Sequence, residues 1–139
     1  MKHKIYNKYE KSFGGREKYF PCKLKKDRVG DCAIRAVAHA TGFDYMKVMR
    51  ELFALGLELG VLPNADLTVS TYLEKNGFIK FSPLKNEKGK KYEVRFFPAK
   101  QSKNYVIRTC GHLTSIVKGK ILDSWNCGEQ ASQTFYVKQ

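Results

Sequence analysis

The sequence predicts an α+β domain, with helices first and a mostly antiparallel sheet after them. Three observations predict it. Apolar residues recur at helical spacing as far as Asn76-Gly77. Beyond that point they gather in short runs rich in Val, Ile, Tyr and Phe, separated by turn residues. The 139 residues suit a single domain over 1–139 with one core. Helices followed by strands in one unit give α+β architecture.

Residues 1–20 are basic and aromatic (Tyr6, Tyr9, Phe13, Tyr19, Phe20), and Gly14-Gly15 interrupts any regular pattern. A basic N-terminal arm or a loosely packed edge is expected there. Residues 31–42 read as a helix that Asp31 caps and Gly42 ends. Ala33, Ala36, Ala38 and Ala40 favour the helix and allow close packing, with Ile34, Val37 and Ala38 on one face. A second helix starts at the Asp44 cap, carries Tyr45, Val48, Met49, Leu52, Phe53 and Leu55, and runs out near Gly56 or Gly60. A third fits 66–76, with Val69, Tyr72 and Leu73 on its apolar side. Strands are expected at 78–81, 92–97, 105–108, 112–117, 120–122 and 134–137. Lys118-Gly119 signals a hairpin turn, and 86–91 is a basic loop.

Charge is unevenly placed. Residues 1–30 carry ten Lys/Arg against three Asp/Glu, and 79–108 carry nine against two. The stretch 31–78 carries four against six, so two basic segments flank a near-neutral middle. Such a field draws nucleic acid, acidic headgroups, cell-wall polymers or an acidic protein; the plainer reading is solubility. Aromatic and basic residues interleave over 92–108, which suits either single-stranded nucleic acid or an ordinary amphipathic hairpin.

No apolar run approaches the roughly 20 residues that span a bilayer, and the first ten residues are charged. The expected setting is the cytoplasm, where Cys22, Cys32, Cys110 and Cys127 stay reduced. A zinc site from Cys22, Cys110, His112 and Cys127 fits ordinary ligand spacing poorly, and no Cys-x-x-Cys pair exists. No metal or organic cofactor is implied.

Cys32 is the focus of the chemistry. It stands at a predicted helix start, where free N–H groups and the helix dipole favour a thiolate and could hold an oxyanion. The alternative is a small buried cysteine near a cap. His112 opens a strand, and Asp123 ends the next one. If the two strands form a hairpin about Lys118-Gly119, Asp123 reaches His112 and fixes its tautomer, as the third member of a thiol triad does. Taken singly, His112 also reads as a satisfied structural histidine and Asp123 as a turn residue. His39 lies two helical turns beyond Cys32, too far to be its base, and reads as packing or surface.

Gly30-Asp31-Cys32 at a helix start, Gly111-His112-Leu113 at a strand start and Asp123-Ser124-Trp125 together resemble the papain-like cysteine peptidase superfamily. The resemblance spans about residues 27–127 and extends to small bacterial and bacteriophage members. It implies a papain-like fold, with the cysteine at a helix start packed on the sheet. Asp123-Ser124-Trp125 stands where papain-type enzymes carry Asn-Ser-Trp, and Trp125 would shield the polar pair. Family members usually place a Gln a few residues before the cysteine as an oxyanion donor. Here no Gln precedes Gln101, and Lys26 occupies about that place beside Asp27. Loss of one such donor typically costs ~100–1,000-fold in rate.

These residues imply a thiol hydrolase, a cysteine peptidase or amidase with a protein or peptide substrate. Cys32 is its nucleophile, His112 its base and Asp123 its orienting carboxylate; Lys26 and Asp31 support the oxyanion side. Acyl transfer would use the same triad. The reading from another class is an inactive papain-like scaffold whose basic segments, 1–30 and 79–108, bind nucleic acid or an acidic protein.

Overall fold

A computed structural model describes residues 6–20 and 29–138. The chain opens with β1 (Lys8–Lys11), then runs through α1 (Cys32–Thr41), α2 (Tyr45–Leu59) and α3 (Asp66–Lys75). The strands β2 (Phe78–Phe81), β3 (Asn104–Thr109), β4 (His112–Val117), β5 (Lys120–Asp123) and β6 (Phe135–Lys138) follow. The architecture is α+β.

The helix boundaries have local causes. The Asp44 carboxylate accepts from the Met46 N–H at 3.1 Å and starts α2. Gly42 and Gly60, at φ +76° and +75°, end α1 and α2 in the left-handed conformation that glycine adopts without cost. α1 departs from expectation at its start. Asp31 holds the cap position, but its side chain makes no capping bond. It is spent on buried partners described below.

The strands form one mixed sheet in the order β1-β5-β4-β3-β6-β2. β1 pairs parallel to β5, and the other pairings are antiparallel. Side chains alternate across it as a pleated strand requires. Val106, Leu113 and Tyr136 meet Val37, Val48, Leu52 and Leu73 of the helices. On the other face Tyr105, Ile107, Ile116, Ile121 and Phe135 meet Val94 and Phe97.

The strand expected at 92–97 is a correction. Glu93 makes a single bridge to Ala131, and the chain then turns in a 3-10 helix, Val94–Phe96. Near three residues per turn, this conformation aims Val94 and Phe97 the same way, into the core, which strand alternation would prevent. Of the two expectations for 1–20, an arm or a loosely packed edge, the described part takes the second. Lys8–Lys11 is an edge strand of the sheet. Just before it, the buried Asn7 side chain donates to the carbonyls of Val94 at 3.0 Å and Phe97 at 2.8 Å. Asn7 thus adds a second donor to two carbonyls that already accept from the Phe97 and Ala99 N–H groups.

The β4–β5 hairpin positions the chemistry. Lys118 and Gly119 both have positive φ, +52° and +75°, as a two-residue turn of matching twist demands. The turn fixes Val117 opposite Lys120 and Ser115 opposite Leu122. The start of β4 and the end of β5 therefore lie together at the far end of the hairpin. α1 packs across β4, and its alanines, 1–4% exposed, let its backbone come close.

Asn7→Ala should remove two buried side-chain hydrogen bonds and cost about 1–3 kcal/mol in urea unfolding. An unchanged midpoint would show that the N-terminal segment is not built into the core.

Candidate active site

Cys32 is the first residue of α1 and is half-buried. Gly30, at φ +69°, turns the chain into the helix. The first-turn N–H groups have no acceptor within the helix, and the positive end of its dipole lies at the thiol.

Across from it, β4 begins with His112, placed there by the short turn through Cys110 and Gly111. The imidazole Nε2 lies 2.7 Å from Asp123 Oδ2 at the end of β5. Since Nε2–H goes to the carboxylate, the hydrogen bond between His112 and Cys32 falls to Nδ1. The Trp125 ring lies over His112 at 4.9 Å between centroids and is itself part-exposed.

Asp123 is 2% exposed and surrounded by donors. Oδ1 accepts from the Ser124 N–H at 2.7 Å and faces the Arg35 guanidinium at 3.5 Å. Oδ2 takes His112 and, at 3.5 Å, the Cys127 thiol. Arg35 also pairs with Asp31, one helical turn earlier on α1. Asp31 accepts in turn from the Tyr45 hydroxyl at 2.7 Å, with Arg16 Nη1 3.7 Å away. A buried chain of alternating charge therefore runs Asp31, Arg35, Asp123, His112.

This chain sets the protonation states. Burial raises the Asp123 pKa, but the hydrogen bond from His112 and the imidazole's charge carry it below its ordinary value. Burial opposes a charged His112. Hydrogen bonds with Asp123, Cys127 and Cys32 and the Asp123 charge outweigh that and push its pKa up to about 11. Burial also works against a Cys32 thiolate. The His112 hydrogen bond, the Leu113 backbone and the imidazolium charge nevertheless bring the thiol below its ordinary value. A thiolate beside an imidazolium is the favoured pair, and the thiolate is the nucleophilic form.

No family model, curated protein or solved structure matches the chain.

The residues singled out in the sequence separate clearly. Cys32, His112, Asp123 and Trp125 come together, and Asp31 supports them through Arg35 rather than by capping. Lys26 lies outside the described residues, as does Cys22. His39 accepts or donates at Nε2 to the Ser12 hydroxyl, 2.7 Å away, and fastens the segment after β1 to α1. Its burial drops its pKa to about 4, so it stays neutral near pH 7. Cys110 is exposed on its turn. The lysines at 80, 85, 88, 90, 91 and 100 are exposed. Among the described residues no helix is long and apolar enough to cross a membrane.

Arg35 escaped sequence reasoning, and Cys127 entered it only as a zinc candidate with Cys22, Cys110 and His112. Arg35 carries a usable signal, an acid–base pair with Asp31 four residues earlier. Cys127 carries none, because it arrives through an irregular loop.

Arg35→Met should leave Asp31 and Asp123 buried without their shared cation. The expected loss is about 3–5 kcal/mol in denaturant unfolding, the usual result of removing one partner of a buried pair. A loss below ~1 kcal/mol, the scale of an exposed pair, would contradict the buried charge chain.

Proposed function

We propose that the protein is a papain-like thiol hydrolase that cleaves an amide bond in a protein or peptide in the cytoplasm. The observation that carries this reading is the line Cys32, His112, Asp123, with the imidazole held at 2.7 Å by a buried carboxylate. In this reading the Cys32 thiolate attacks the carbonyl carbon. The oxygen gains the negative charge, which the Cys32 N–H and its neighbours at the start of α1 stabilise. As the C–N bond breaks, His112 Nδ1–H protonates the leaving amine. The neutral imidazole then takes a proton from water, whose oxygen attacks the thioester. Collapse releases the acid and restores thiolate and imidazolium. Asp123 keeps Nε2–H in place throughout, and Trp125 limits water at the pair.

The sequence offers no Gln near the usual oxyanion position, so backbone amides carry that role. A cavity of about 330 Å³ flanks the head of α1, lined by Gly30, Ala33, Ile34, Met49, Phe53 and Pro63. Arg16, Asp31 and Asn64 also line it, and neither Cys32 nor His112 does.

The test is iodoacetamide labelling near pH 6, resolved by mass spectrometry. Cys32 should label faster than the exposed Cys110, since a lowered thiol pKa enlarges the reactive thiolate fraction at that pH. In His112→Ala the imidazole's hydrogen bond and charge are gone, and Cys32 should lose its advantage over Cys110. Equal rates in the unaltered protein would count against catalysis. They would favour an inactive scaffold that works through its exposed lysines.

A further inference from the structure

Cys127 has no part in the thiol chemistry, yet its placement is specific. It is 1% exposed, and its Sγ lies 3.5 Å from Asp123 Oδ2, the same oxygen that holds His112. One ring nitrogen of His112, one carboxylate oxygen of Asp123 and the Cys127 Sγ all lie within 4.8 Å of one another. Three ligands on a tetrahedral zinc ion, at bonds of about 2.0–2.3 Å, sit roughly 3.3–3.8 Å apart. The Cys127–Asp123 pair, at 3.5 Å, already meets those separations, and the His112–Asp123 contact must widen by about half an ångström. It is also the one grouping of this kind among the described residues.

We propose that His112, Asp123 and Cys127 form a Zn²⁺ site, in which the metal replaces the proton shared between His112 and Asp123. This set differs from the grouping with Cys22 and Cys110 that the sequence suggests, because Cys110 is exposed and Asp123 takes its place. The donors are chemically apt: one thiolate, one imidazole and one carboxylate, with a fourth position left for water. The two anions balance the ion's charge. Binding releases the Cys127 S–H proton and the His112 Nε2–H proton, so affinity rises with pH.

The consequence for turnover rests on the hydrolase reading. With Nε2 on zinc, His112 keeps its remaining proton on Nδ1. It can then neither take a further proton from water nor cycle one to the leaving amine. Zinc would halt the enzyme without touching Cys32. A resting state of this kind is released by a stronger chelator.

The test uses the full chain with Cys22 and Cys110 replaced by serine, stripped of metal and titrated with Co²⁺ and Zn²⁺. Co²⁺ should produce a near-ultraviolet thiolate-to-metal band, and one equivalent of Zn²⁺ should abolish it. The band should persist in Cys32→Ser and vanish in Cys127→Ser. X-ray absorption at the zinc edge of the Cys32→Ser protein should find one sulfur near ~2.3 Å, a readout that does not depend on how Cys127→Ser folds. A band lost in Cys32→Ser and kept in Cys127→Ser would move the metal to the nucleophile and overturn the site. So would the absence of any band or of sulfur around zinc. Cys32 labelling in the metal-free protein tests the hydrolase reading separately, so either idea can fail without the other.

Discussion

The carboxylate of Asp123 is the constraint on which the rest of the structure depends. A buried negative charge is costly unless it is paired and hydrogen-bonded. Here it meets an imidazole, a guanidinium, a backbone N–H and a thiol. Each partner is delivered by a different piece of chain: β4, α1, the residue after β5, and the loop beyond it. The demand of one charge thus ties the first helix to the hairpin beneath it. It also explains why Asp31 does not cap its own helix. Arg35 needs a second anion, and Asp31 stands one turn away.

The same charge supports the chemistry. An isolated imidazole in a half-buried setting would be neutral, and an isolated buried thiol would hold its proton more tightly. Asp123 reverses the first tendency, and the resulting imidazolium reverses the second. The sheet keeps this pair from drifting. Lys118-Gly119 sets the hairpin register, and the short turn before His112 holds the start of β4. A side chain at Gly119 would be strained by its φ of +75° and would come within 2.6 Å of the Gln101 amide. The turn that places Asp123 opposite His112 therefore has little freedom to change.

Much of this was legible in the sequence, for identifiable reasons. The three helices announce themselves through 3.6-residue periodicity and through Gly42, Asp44 and Gly60 at their ends. Cys32, His112 and Asp123 were readable because each sits at an element boundary that local signals mark. What failed was non-local. Residues 92–97 have strand composition, but the core takes Val94 and Phe97 from one side of a 3-10 turn. The N-terminal segment could be read only as an arm or a loose edge, because the partners of Asn7 lie about 90 residues away. Cys127 and the Arg35–Asp123 contact likewise arise from tertiary folding, which no local pattern records.

The central claim is that Asp123 holds His112 as an imidazolium beside Cys32 well above the ordinary histidine range. Nitrogen-15 NMR of the His112 ring in metal-free protein at pH 8 tests it most directly. The account predicts protons on both ring nitrogens at that pH, in keeping with a pKa of about 11. It also predicts that Asp123→Asn returns the ring to its neutral form. A His112 that is neutral at pH 8 in the unaltered protein, titrating near the usual ~6.5, would contradict the account.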